Sequence, residues 1–245
     1  MDQPTSNYKT LYPWAFSDLL EKTSEFTTSE SIVLYRKSES SHKSHIFGRE
    51  HDKFVRVVPC KVNEPVCCDE SSNSEGPFCF IYSTIFKKIL LHLPFVSFER
   101  AFLTEINVAP AQLHPNSWAF VRAFSILCHH FGHLPSVDVF LYFFRAKNPG
   151  QKLWVSFNGV VGRVLLTLFQ QSYKSFKGKF FKIHYNKNDP TLLDGFPLYW
   201  TQKSRLKKPI CLEDLTPRER EVCDFLSNHQ VVFSSVELIK CEYSP

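Results

Sequence analysis

The run Val139-Phe140-Leu141-Tyr142-Phe143-Phe144 offers water almost nothing, so it must be buried nearly all round, and that demand constrains what the chain can fold into. Ser136-Val137-Asp138 ahead of it reads as a cap with an acidic first turn, opening a helix over 139–145; the same aromatic content also suits a strand. Cover is available, because 24 Phe and 43% hydrophobic residues stand among the 245. A chain of this length buries roughly 70% of the surface its unfolded form exposes. Charged residues at 22% place it with soluble globular proteins, and no apolar stretch approaches the ~20 residues of a membrane span.

The partners for that run lie just before it. Ser97 can cap a helix with Phe98, Ala101, Phe102 and Ile106 at helical spacing. A second helix is expected from Pro115-Asn116-Ser117 to Phe131, with Arg122, Ser125 and His129 on its polar side. Trp118, Val121, Phe124, Leu127 and Cys128 then point inward, and Gly132 provides the stop. Trp118 and Phe124 are expected against Val139 to Phe144.

Later segments alternate instead. Leu153 to Phe157 and Lys179 to Tyr185 suit half-buried strands, separated by an apolar segment over Leu165 to Phe169. Thr216-Pro217-Arg218-Glu219 combines an N-cap, a proline at the first helical position and a Glu three residues past the cap, predicting a helix from Pro217 to about Asn228. Before Phe78 the pattern is polar: Thr23 to Ser44 and Asp69 to Pro77 read as linkers around a short strand at Lys53 to Val58, and Tyr12 to Leu20 makes a turn or two of helix. The expected fold is α+β: a mainly helical core with a small antiparallel sheet, preceded by a loosely structured N-terminal region. The expected units are 1–77, 78–209 and a helical extension at 210–245.

Residue chemistry excludes more than it assigns. Cys128, His129, His130 and His133 lie close in sequence but on different sides of their helix, and Cys60, Cys67, Cys68 and Cys79 lack the paired short spacings of zinc knuckles. No metal and no cofactor is expected. No nucleophile elbow, zinc-protease helix or phosphate-binding glycine loop is present. Between Glu105 and Asp189 the only acid is Asp138, too few for two-metal phosphoryl chemistry. The opening Met1-Asp2-Gln3-Pro4-Thr5 carries neither a basic nor an apolar leader. An intracellular location, cytoplasmic or nuclear, with reduced thiols is therefore expected.

Charge supplies the positive lead. From Arg145 to Lys208 there are thirteen Lys and Arg against two Asp, in a chain of net charge +5. Within Ser172 to Lys182 lysines alternate with aromatics, a composition that can neutralise phosphates while stacking on unpaired bases. Lys174, Lys177, Lys179, Lys182 and Lys187 are the candidate contacts. The competing reading is a solvated face over buried Phe176, Phe180 and Phe181. Lys203 to Pro209 also fits a nuclear import signal.

Ala109-Pro110-Ala111-Gln112-Leu113-His114-Pro115-Asn116-Ser117-Trp118-Ala119-Phe120 resembles the plant domain named the putative gypsy type transposase domain. Supporting segments follow in order: Leu93 to Phe98 before it, then Phe140 to Phe144, Trp154 to Phe157, Ser172 to Lys177 with Phe180-Phe181, and Phe196 to Trp200. The resemblance covers about 78–205. It implies a retrotransposon-derived protein with no established catalytic residues to transfer. The leading reading is a non-enzymatic interaction or nucleic-acid-associated module, whose partners would be single-stranded nucleic acid or other element-encoded proteins. The alternatives are a nucleic-acid-processing enzyme that lives up to the transposase name, and a decayed element without activity.

Overall fold

The computed structural model describes residues 5–15, 17–40, 55–68, 77–147, 154–167, 175–185, 195–205, 208–229 and 232–241. Three helices come first, α1 (Thr5–Leu11), α2 (Ser17–Leu20) and α3 (Ser29–Ser40), then strands β1 (Val55–Val58) and β2 (Phe78–Tyr82). Helices α4 (Ser83–Ile89), α5 (Ser97–Ile106), α6 (Pro115–His130) and α7 (Val137–Phe143) follow, then β3 (Phe144–Lys147), β4 (Ser156–Gly159), β5 (Leu166–Thr167) and β6 (Phe180–Tyr185). Helix α8 (Pro217–Asn228), β7 (Phe233–Ser234) and α9 (Ser235–Cys241) complete the series. The fold is α+β, helices with small antiparallel sheets, plus one short parallel pair, β5 on β7.

The aromatic run resolves its own ambiguity by being both elements: α7 passes directly into β3. The Ser136 side chain accepts from the Asp138 N–H at 3.2 Å, and Phe140, Leu141, Phe143 and Phe144 are all buried. Phe140 meets Phe124 of α6 at 5.4 Å, and Phe120 of α6 meets Phe144 at 5.1 Å. Trp118 turns elsewhere, stacking on Phe95 at 5.2 Å. Helical geometry explains the difference, since 120 and 124 share a face and 118 does not.

Caps differ in instructive ways. Ser97 is the first helical residue of α5 and not its cap; Val96 precedes it, and Glu99 reaches back so that its Oε2 accepts the Val96 N–H at 3.0 Å. Gly132 ends α6 as expected, at φ +73°, with the Gly132 N–H on His129 O at 3.0 Å and the His133 N–H on Cys128 O at 2.9 Å. The Thr216–Glu219 box is complete: Thr216 N–H donates to Glu219 Oε2 at 3.0 Å and Glu219 N–H to Thr216 Oγ1 at 3.3 Å. Ser136 Oγ also donates to Glu219, joining the starts of α7 and α8.

Two faces expected to meet water do not. Strand β6 is fully buried, because it is the centre of the antiparallel order β1-β6-β2, with Val55 opposite Tyr185 on one side and Phe78 opposite His184 on the other. On α6, Arg122 and Ser125 are buried, because α9 packs along the helix. The described N-terminal residues join the same core through Tyr12, Leu19, Leu20, Ile32 and Tyr35 as well as β1. Among the described residues, no helix is long and apolar enough to cross a membrane.

Candidate nucleic-acid interface

The predicted lysines do not form one patch. Lys182 sits on the central strand at 1% exposure, its Nζ 2.7 Å from Glu64 Oε1 and 4.7 Å from the Phe78 ring centroid. That burial puts Lys182 out of reach of a phosphate backbone, which corrects its place among the candidate contacts. Lys179 is half-buried and faces a cleft shared with Glu25, Lys87 and Lys88. Lys177 lies on another side, its Nζ 5.0 Å over the ring of half-buried Trp154. Lys174 and Lys187 lie outside the described residues. Of the import-signal stretch, Lys203, Arg205 and Lys208 are exposed, and the backbone of Arg205 is tied to Ile106 O at 2.7 Å.

Lys177 leads instead to a surface built by three separate segments. Its charge acts on His114, the residue that caps α6 by accepting the Asn116 N–H on Nδ1 at 3.1 Å. The strand after Trp154 runs beside this cap, with Val155 N–H on Gln112 O and His114 N–H on Val155 O, both at 2.9 Å. It continues as β4, paired antiparallel with β3 so that Lys147 lies opposite Ser156 and Arg145 opposite Asn158. Side chains alternate across such a ribbon. Arg145, Lys147, Ser156 and Asn158 therefore share its wetter face, while Phe144 and Phe157 turn into the core. A nook of about 200 Å³ opens between the ribbon and the α6 start, lined by His114, Asn116, Phe120, Lys147, Ser156, Phe157 and Asn158. None of these is acidic.

Arg145, Lys147, His114, Asn116 and Asn158 are not among the residues that the sequence singles out as contacts. The alternations Arg145-Ala146-Lys147 and Ser156-Phe157-Asn158 carry a strand signal, but nothing local pairs the two strands or brings the 114–116 turn beside them.

His114 is held neutral. Burial, and then the nearby Lys177 charge, push its pKa down to about 4. With Nδ1 accepting, the ring carries its proton on Nε2. The unfolded ring takes up a proton near pH 6.5 while the folded ring resists until about 4, so the contribution is complete above the first value and is lost as pH falls toward the second. Wild-type stability is expected to drop by ~2–3 kcal/mol across that window. His114→Asn, which keeps a capping oxygen without titrating, should flatten this limb in urea melts at pH 7 and 4.5. An equally steep limb in the variant would remove His114 as its source.

Other chemistry is quieter. Burial pushes the thiols of Cys60, Cys79, Cys128 and Cys223 up to about 12, which leaves them protonated and poorly nucleophilic at neutral pH. Among the described residues, no three His, Cys, Asp or Glu side chains gather as a metal site would require. A larger cavity of about 1100 Å³ lies where α9 crosses α6, and its lining includes the buried pair Arg122–Glu99, 3.9 Å apart.

Residues 81–148 match the model of the family described as "putative gypsy type transposon". The matched segment runs from β2 to just past β3 and contains α4 to α7, the capping His114 and both ribbon cations. Over those residues the chain is similar to that family. No curated protein and no solved structure matches the chain.

Proposed function

We propose that this chain is a non-enzymatic module of a retrotransposon-derived protein, and that it contacts single-stranded nucleic acid through the β3–β4 ribbon, the α6 start and Lys177. The observation that carries this reading is a surface with Arg145, Lys147 and Lys177, a half-buried Trp154 ring and a nook in which no described lining residue is acidic. Cations there can replace counterions on phosphates, and the indole offers a π-face to an unpaired base. Lys179, on its own cleft, and Lys174 and Lys187, outside the described residues, are proposed as separate phosphate contacts and are not part of this surface. Other element-encoded proteins are the alternative partner class.

The test is fluorescence anisotropy of a labelled single-stranded 20-mer at graded salt. Wild-type binding should weaken linearly on a log–log plot. The triple variant Arg145→Gln/Lys147→Gln/Lys177→Gln should flatten that slope by about 0.7 for each phosphate contact removed. These exposed or half-buried side chains should move stability by only about 0.5 kcal/mol each. Absence of wild-type binding at low salt would refute the reading, and an unchanged slope in the variant would refute this surface.

A further inference from the structure

We infer that the cleft between α3, α4 and the 175–179 segment receives the terminal phosphate of a nucleic-acid strand, a phosphomonoester dianion. This rests on the nucleic-acid reading above and names the part of the strand that this second site takes.

Charge and accessibility carry the inference. The cleft has a volume of about 450 Å³, and the ammonium groups of Lys87, Lys88 and Lys179 line it with one carboxylate, Glu25. Lys87, Lys88 and Glu25 are exposed and Lys179 is half-buried, so a ligand can reach all four. With one lysine offset by Glu25, two positive charges remain among the described lining residues. A phosphate inside a strand carries a single charge, whereas a terminal phosphate, with its second pKa at about 6, carries close to two at neutral pH. The dianion matches the cleft, and the internal diester matches only half of it.

The walls hold these cations in place. Lys179 O accepts the Ser83 N–H and Gly178 O accepts the Glu25 N–H, both at 2.8 Å, which fixes the 175–179 segment to the start of α4 and to Glu25. Lys87 Nζ rests 4.5 Å over the ring of Tyr35, and the Tyr35 hydroxyl donates to Ser83 O at 3.2 Å, tying α3 to the same wall. Half-buried Thr84 and exposed Ser175 add hydroxyls that can donate to phosphate oxygens. Position supplies the link to a strand. Buried Phe176 lines the cleft, and its ring is also 6.2 Å from that of Trp154, over which Lys177 stands. One ring thus separates the cleft from the indole and Lys177, so a strand lying on that surface has its end within reach of the cleft.

The experiment measures anisotropy of internally labelled 12-mers of one sequence, ending in a 5′-phosphate, a 3′-phosphate or hydroxyls only, on the full chain at one low salt concentration. One phosphorylated oligomer should bind about tenfold more tightly than the hydroxyl-ended one, the gain expected of one charge-assisted contact, and the arm that does so identifies the end. That advantage should shrink between about pH 7.5 and 5.5, as the monoester takes up its second proton. Lys88→Gln/Lys179→Gln should bring the ratio toward one, whereas Lys177→Gln should weaken all three oligomers alike and keep it. Equal affinities of the three, or an advantage that survives Lys88→Gln/Lys179→Gln, would overturn the strand-end site while leaving the ribbon contacts intact. So would a phosphoserine peptide that displaces the phosphorylated oligomer as well as its own unlabelled copy does, since the cleft would then read a phosphoprotein. Failure of all three to bind would overturn the nucleic-acid reading and this site with it. The wild-type comparison needs no variant, so a poorly folding double variant would not shield the inference.

Discussion

Lys182→Met is expected to lower the stability of this protein by about 3–5 kcal/mol, because it leaves the Glu64 carboxylate buried without the ammonium beside it. Both side chains are at most 1% exposed and their charged atoms are 2.7 Å apart. The setting magnifies the loss. Lys182 also lies over the Phe78 ring, and Glu64 Oε2 accepts the Lys61 N–H at 2.8 Å, so the carboxylate is held by its own turn and cannot swing out to water. Removing both charges together should be far milder. Glu64→Gln/Lys182→Met keeps an acceptor for Lys61 and should cost only about 1–2 kcal/mol, since paired burial contributes little net stability. Denaturant midpoints at constant slope would check this. A single-variant loss below about 1 kcal/mol would mean that the remaining carboxylate reaches water or becomes protonated at little cost.

That pair also shows where sequence reading ends. Alternation in Lys179 to Tyr185 correctly announces a strand, and a lysine in a strand reads as its wet side. Only the tertiary pairing reveals the opposite: β6 lies between β1 and β2, and Glu64, 118 positions earlier, covers Lys182. Signals confined to a few residues are legible, as with the Thr216–Glu219 box and the Gly132 stop, because their hydrogen bonds close within one turn. Arg122 and Ser125 are not, since helical periodicity separates two faces of α6 without saying that α9 will cover the polar one. The candidate interface follows the same rule. Lys177 is visible as a cation in a basic stretch, whereas Arg145, Lys147, His114 and Asn116 become its neighbours only through the β3–β4 pairing and the Gln112–Val155 contact.

Trp118→Ala should cost a similar ~3–5 kcal/mol, by opening a cavity where a fully buried indole stood. Part of the cost is polar, because Trp118 Nε1 donates to Pro110 O at 3.0 Å and truncation orphans that carbonyl. Trp118→Phe should therefore fall between wild type and the alanine variant. The packing partner can be tested independently of the magnitude. Trp118 stacks on Phe95, while Phe124 meets Phe140, so the effects of Trp118→Phe and Phe140→Leu should add within about 0.5 kcal/mol. Phe124→Leu combined with Phe140→Leu should depart from additivity by more than that, since those rings touch. Strong coupling of Trp118 to Phe140 would return the indole to the face that helical spacing denies it. It would also detach Trp118 from the Pro110 turn, which leads directly into Gln112 and His114. A Trp118 variant that melts early yet keeps the His114-dependent acid limb would show that this turn survives without its indole anchor.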